Sequence, residues 1–283
     1  MKRQLLIYAT ADNKYLEFAL IYPIFALLSN PTAVVEIGIV GRRAWWRLYR
    51  QYGHLLEFYN MRYPDRILFR PIRKFLPVFP NSVRFLVAPK TRAKYVYIGD
   101  IDIMLTQPIL AAHLENMRIN NLDFSNIKRK GEDALSGLHF IEYDKMYPAR
   151  PPFFANLRKM DDESLLFQLM RARGYNIPDE NVTFRPLHGV HASWFSRAPL
   201  PTRTTGDDLV AYPCWASTTD NNIDTTYSGE YLLMRHSAGI RDFMQNIREN
   251  DVELRKIIQC IDMFCNYMCL HYSRATKCQG PVI

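Results

Sequence analysis

Asp100 and Asp102 stand one residue apart at the end of the run Tyr95-Val96-Tyr97-Ile98-Gly99. A short apolar and aromatic run of this kind reads as a buried strand. Residues i and i+2 of a strand share a face. The two carboxylates are therefore expected to converge at a sheet edge, with Ile101 turned into the core. Two carboxylates held together repel unless a proton or a cation sits between them. Oxygen donors of this type suit Mg²⁺ or Mn²⁺, which commonly share their coordination shell with phosphates. The chemistry implied is a divalent-metal site that grips a diphosphate. Asp-x-Asp also arises as a solvated turn or cap, and the apolar run before it favours the metal reading.

Further groups could complete such a site. Residues 182–187 read as a strand that delivers His188-Gly189-Val190-His191, where either histidine could reach a metal or a pyrophosphate. His236 is a third candidate, placed inside a helix by the pattern around it. Asp161 and Asp162 open a helix expected over residues 161–173, with acids at its start and basic residues at its end. They serve either as caps or as groups facing substrate hydroxyls or the reacting carbon. Leu135-Ser136-Gly137 reads as a small-residue turn before a strand, and Gly137 would let the backbone approach a ligand closely. Asp12 either caps the first helix or holds a nucleotide, Tyr15 either packs or stacks on a base, and Lys14 adds positive charge nearby. The five cysteines, Cys214, Cys260, Cys265, Cys269 and Cys278, fit neither a disulfide framework nor paired zinc spacing, so buried thiols are expected.

These groups need a scaffold. Strands are expected at residues 5–9, 34–40 and 67–70, with helices at 15–28 and 45–60 between them. Residues 81–86 begin a helix that leads into the Asp-x-Asp strand. This alternation argues for an α/β sheet in which the first strand and the Asp-x-Asp strand lie close together. Residues 201–228 are polar and turn-rich, and helical patterns dominate after Gly229. With 283 residues the chain can bury a sizeable core. A division into a sheet domain over 1–200 and a loop and helical extension over 201–283 is expected.

Hydrophobic content of 48% and charged content of 23% match an ordinary globular protein. The 17 Tyr and 16 Phe exceed what a core needs and suit stacking on sugars or bases. The net charge of +8 draws heavily on Arg42, Arg43, Arg47, Arg50, Arg62, Arg66, Arg70, Arg73 and Lys74. Such a balance points to a phosphorylated substrate, an acidic membrane surface or nucleic acid. No zinc-finger, RRM or helix-turn-helix pattern is present, so nucleic acid is not the expected partner. The apolar starts at residues 5–7 and 19–28 are too short for a leader or a span. A cytoplasmic protein able to rest on a membrane surface is expected.

The order of these features resembles the nucleotide-sugar glycosyltransferases of the GT-A fold, of the family-eight type. Ala9-Thr10-Ala11-Asp12-Asn13-Lys14-Tyr15 is similar to that family's nucleotide-holding loop, and Tyr95 to Asp102 to its aromatic strand ending in Asp-x-Asp. Leu135-Ser136-Gly137 is similar to its small-residue turn, and Asp161-Asp162-Glu163 to its acidic helix start. The likeness runs over residues 5–195. Ser136 stands where the family has Asn, and the family's late His-x-x-Gly-x-x-Lys-Pro-Trp is absent as such. His188 or His191 after a strand, or His236 with its His-x-x-Gly spacing, would have to supply that histidine.

The resemblance implies a mixed α/β sheet flanked by helices, with a helical C-terminal extension. It implies transfer of a sugar, with retention, from a UDP-sugar to a cell-surface glycan or lipid-linked acceptor. Mn²⁺ or Mg²⁺ would sit on Asp100, Asp102 and a late histidine, His188 or His191. Ala9, Ala11, Asp12, Tyr15, Asp100, Ile101, Ser136 and Gly137 would hold the nucleotide-sugar, and Asp161 or Asp162 would face the reacting sugar. The competing enzyme is a phosphatase of the haloacid-dehalogenase type, with Asp-x-Asp as nucleophile and acid/base and Gly206-Asp207-Asp208 as later acids. That motif normally opens its core, whereas here a long α/β segment precedes it.

Overall fold

Strand β1 (Leu5–Ala11) is buried along its whole length, as a central strand covered on both faces must be. Leu5, Ile7, Ala9 and Ala11 enter one hydrophobic core, while Leu6 and Tyr8 enter the other. The structure is a computed structural model and describes residues 3–73, 79–149, 160–179, 189–192 and 230–277. In chain order the elements are β1, α1 (Leu16–Ser29), β2 (Val34–Val40), α2 (Arg42–Arg62), β3 (Ile67–Ile72), α3 (Val83–Leu86) and β4 (Tyr95–Ile98). They continue with β5 (Ile103–Leu105), α4 (Leu110–Ile119), β6 (Phe124–Ser125), β7 (His139–Glu142), α5 (Tyr143–Met146) and α6 (Asp162–Ala172). The last three are β8 (Gly189–His191), α7 (Ala238–Gln245) and α8 (Val252–Lys277).

Six strands form one sheet in the order β3-β2-β1-β4-β7-β6. β3, β2, β1 and β4 are mutually parallel, and β7 and β6 complete the sheet antiparallel. Residues of α1, α2, α7 and α8 share the core on one face, and residues of α3, α5 and α6 share that on the other. The alternating pattern predicted an α/β sheet, and the resemblance implied one that is mixed and flanked by helices, as observed. α1 is apolar nearly all round and buried from Leu16 to Leu27, the mark of a helix enclosed in a core. α2 is amphipathic: Ala44, Leu48, Tyr52, Leu55 and Phe58 face inward, and its axis bends at Tyr52.

The topology fixes where a site can be. From the central β1 the chain moves outward to β2 and β3, then returns to place β4 on the other side of β1. Such a reversal opens a crevice beyond the carboxyl ends of the two central strands, where ligands bind in open α/β sheets. Asp12 follows β1 there, and Asp100 follows β4.

Two local expectations are corrected. β4 stops at Ile98, so Asp100 and Asp102 lie in a turn closed by Ile103 N–H donating to the Asp100 carbonyl at 3.2 Å. The small-residue turn at Leu135-Ser136-Gly137 does precede a strand, which begins at His139. His236 lies between helical segments rather than inside one: Ser237 caps α7, its hydroxyl accepting from Ile240 N–H. Cys260 and Cys265 are buried thiols on α8. Residues 182–188, 201–228 and Cys278 lie outside the described residues. Among the described residues no helix is long and apolar enough to cross a membrane.

Candidate active site

Arg84 organises the crevice. It sits on α3, entered through a single 3₁₀ turn at Pro80–Ser82, and is 2% exposed. A guanidinium that remains charged cannot be buried without partners. Nη2 lies 2.6 Å from Asp100 Oδ1 and 2.9 Å from Asp162 Oδ2, and donates to the Gly137 carbonyl at 3.4 Å. The guanidinium also stacks 4.8 Å from the Phe85 ring centre. Asn81, three residues earlier, donates to the second oxygen of Asp162 at 2.7 Å. One short segment thus aims two donors at Asp162 and ties it to Asp100.

The turn at Gly137 completes this side. A Cβ there would fall 2.7 Å from Asp100 Oδ2 and 2.8 Å from Arg84 Nη2, so only glycine lets the backbone lie against the ion pair. Ser136 is held from behind: its hydroxyl donates to Asn126 Oδ1 at 2.8 Å, while Asn126 Nδ2 donates to the Ser136 carbonyl at 3.1 Å. The same amide donates to His139 Nδ1 at 3.1 Å. Ser136 therefore braces the turn through Asn126.

Asp102 belongs to a second arm. Its carboxylate lies 3.2 Å from His191 Nε2. The two-stranded ribbon β5–β8 pairs Ile103 with His191, and Ala192 N–H donates to the Asp102 carbonyl at 2.7 Å. Ile101, between the two acids, is 5% exposed and turned into the core.

Three carboxylates, Asp100, Asp102 and Asp162, thus surround one guanidinium, with His191 alongside. Among the described residues, these three carboxylates outnumber the one guanidinium that pairs with them. Burial raises the Asp100 carboxyl above its ordinary range; Arg84 opposes this, while Asp102 and Asp162 push it further up. Burial works against the charged form of Arg84, but Asp100, Asp162 and Asp102 together hold its proton more firmly than usual. Tyr22, on α1 beneath Gly99, stays neutral: burial, then the charge of Asp100, raises its phenol far above the usual range.

The remaining predicted residues fall into two groups. Asp12 Oδ1 accepts from the N–H groups of Lys14 at 2.9 Å and Tyr15 at 3.2 Å, so it shapes the entry to α1. Tyr15 packs tilted against Phe18, with Lys14 Nζ 5.7 Å from its ring centre. Ala9 and Ala11 turn their side chains into the core, so only their backbone can meet a ligand. Asp161 is exposed and caps α6, accepting from Ser164 N–H at 2.8 Å and Ser164 Oγ at 3.0 Å. The structure brings Asp162 to the cluster and leaves Asp161 outside it. His188 lies outside the described residues.

Sequence reasoning missed Arg84 and Asn81. The available signal was a lone cation among Val83, Phe85, Leu86 and Val87, a setting that demands buried carboxylates. As for a metal, Asp100, Asp102 and His191 offer the oxygen and imidazole donors that suit Mn²⁺ or Mg²⁺, and the excess negative charge favours a cation. Among the described residues, no group of three or more His, Cys, Asp or Glu is already drawn together around a metal-sized centre.

No family model and no curated protein matches this sequence. Several solved structures are similar in shape. The galactosyltransferase LgtC, in complex with donor and acceptor sugar analogues, is 13% identical, with 58% of this chain and 70% of that one covered at a TM-score of 0.39. Staphylococcus aureus TarS 1–349 is 12% identical, with 96% and 87% covered at 0.42. The glycosyltransferase GlyE in Streptococcus pneumoniae is 10% identical, with 60% and 44% covered at 0.37. These values describe a loose likeness of shape.

Proposed function

We propose that this chain is a metal-dependent GT-A glycosyltransferase that moves a sugar from a nucleotide-sugar, UDP-linked, to a glycan or lipid-linked acceptor. The observation that carries the reading is the cluster of three carboxylates around Arg84 and beside His191, set in the crevice between β1 and β4. Excess negative charge in that place calls for a cation, and a cation there calls for an anionic ligand.

Asp100, Asp102 and His191 are the residues that would hold Mn²⁺ or Mg²⁺. When bound, such an ion neutralises the charge that develops on a departing diphosphate. Arg84 fixes the direction of Asp100 and Asp162 at once, which preorganises both. Asp162 can accept a hydrogen bond from a sugar hydroxyl, while Asn81 and Arg84 keep its carboxylate oriented. Gly137 lets the backbone of its turn lie directly against Asp100 and Arg84, which keeps the ion pair in place. The backbone from Ala9 to Asp12, and at Ile101, forms the floor on which a nucleotide would lie, with Tyr15 and Lys14 at its rim. Asp161 serves the helix. Retention of configuration is the outcome implied by the resemblance.

The phosphatase reading requires one Asp of the pair to attack phosphorus. Asp100 is engaged by Arg84 at 2.6 Å and Asp102 by His191 at 3.2 Å, which favours the transferase. Calorimetric binding of UDP, GDP and CMP with and without Mn²⁺, on wild type and Asp102→Ala, tests the proposal. Metal-dependent binding of UDP that disappears in the variant is expected. Absence of nucleotide binding under every metal condition overturns it.

A further inference from the structure

We propose that the outward face of the first half of α2 docks this protein onto an anionic lipid bilayer. Trp46 and Tyr49 are 49% and 56% exposed, and the exposed side chains of Arg42, Arg43 and Arg50 lie around them. Helical spacing of three to four residues places 42, 46, 49 and 50 on one stripe. The rings are braced rather than loose. Arg50 stacks on Trp46 at 4.1 Å from its ring centre, and Tyr49 meets the half-buried Trp45 edge-on at 4.8 Å. The opposite face, Ala44, Leu48 and Tyr52, is core. From Arg42 to Leu56 the sequence carries four arginines and no Asp or Glu.

This combination matches one kind of surface. Indole and phenol rings settle at the headgroup level of a bilayer, with their apolar bodies inward and polar atoms wet. Guanidinium groups beside them meet anionic headgroups, and each basic residue near such a surface raises partitioning about fivefold. Arg42, Arg43 and Arg50 together then account for roughly a hundredfold. A single-stranded nucleic acid is instead held by a charged groove with open ring faces. Here the stripe occupies a single helix face, and Arg50 already covers one side of Trp46.

The position of the stripe gives it a use. α2 begins two residues after β2 ends, at the same sheet edge as the carboxylate cluster. Arg47 donates to the Asn13 carbonyl at 2.9 Å and pairs with buried Glu17, which ties this half of α2 to the loop after β1. A bilayer held against the stripe would face the crevice mouth, where a lipid-linked acceptor has to arrive. That last clause rests on the transferase reading; the docking itself does not.

The test is flotation of the full chain with phosphatidylcholine vesicles, with and without phosphatidylglycerol. Binding only to the mixed vesicles, weakened by salt, is expected. Replacing Arg42, Arg43 and Arg50 by Glu should lower partitioning by a hundredfold or more, and Trp46→Ser with Tyr49→Ser should lower it at constant charge. Brominated lipid should quench the emission lost in Trp46→Phe, a readout from a protein whose stripe is otherwise intact. No vesicle binding, unchanged binding in both variants, or no quenching of Trp46 overturns the proposal. So does a single-stranded oligonucleotide that binds this stripe more tightly than the vesicles do. Calorimetry of UDP on the same wild-type preparation reports separately on the transferase reading.

Discussion

Replacing Arg84 by Met tests the organisation of the site at its most buried point. Methionine keeps most of the length and packing against Phe85 but removes the cation that pairs with both Asp100 and Asp162. Breaking a buried ion pair by deleting one partner costs about 3–5 kcal/mol. Asp162 keeps its bond from Asn81, and Asp100 is partly open to solvent and can take up a proton. The lower end, about 3 kcal/mol, is therefore expected near neutral pH. Unfolding entropy of about 2 cal/mol/K per residue converts this to a fall of about 5 °C in Tm for a chain of this length. Thermal unfolding followed by circular dichroism, without added metal, measures it. The loss should also shrink in mild acid. Without Arg84, the Asp100 carboxyl rises further, and protonating it as pH falls through its folded pKa relieves the penalty. A fall of less than about 2 °C in Tm, or an equal deficit at neutral and acid pH, would refute the idea that Arg84 balances these carboxylates.

Gly137→Ala forces a methyl group to within 2.7 Å of Asp100 Oδ2; a cost of about 1–3 kcal/mol and a loss of sugar transfer are expected, read by thermal unfolding and a donor-hydrolysis assay. Asp161→Ala removes only a cap, so stability should fall by about 1 kcal/mol with nucleotide affinity unchanged in calorimetry. His139 is fully enclosed, and burial pushes its imidazole down to about 3. Its folded pKa lies below the unfolded value, so the stability it contributes is present above pH 6.5 and lost as pH falls towards 3. The expected slope approaches about 1.4 kcal/mol per pH unit, and urea titrations of wild type and His139→Gln at two pH values below 6.5 should differ by that slope.

The sheet was legible where burial leaves a continuous apolar signature. Residues 5–9 and 34–40 read as strands because both faces of β1 and β2 are covered, and α1 announced itself by its unbroken apolar run. Asp100 and Asp102 stood out for the same reason, as the first charges after a buried strand. Their mode of convergence did not. Alternation along a strand suggested it, whereas a turn closed on the Asp100 carbonyl produces it. Arg84 left a local trace, a lone cation in an apolar run, but its role was illegible because its partners lie far along the chain, at Asp100, Gly137 and Asp162. The choice between Asp161 and Asp162 likewise depended on the phase of α6 against Asn81, which no local pattern encodes. Ser136 offered a hydroxyl to a ligand on paper, but Asn126 claims it.

The ribbon β5–β8 has a consequence for how this chain could diverge. β5 follows Asp102 directly, and the backbone ladder sets Ile103 opposite His191 and anchors Ala192 to Asp102. The imidazole is thus positioned by local hydrogen bonding rather than by the length of chain that separates Leu105 from Gly189. Insertions and deletions in the surface loops of that excursion can accumulate without displacing the histidine, provided β6, β7 and α6, which carry the Gly137 turn and Asp162, keep their places. A change of one residue inside β8 itself would instead turn Val190 or Ala192 towards the carboxylate. Grafting experiments should treat the three residues of β8 as inseparable from the acidic turn.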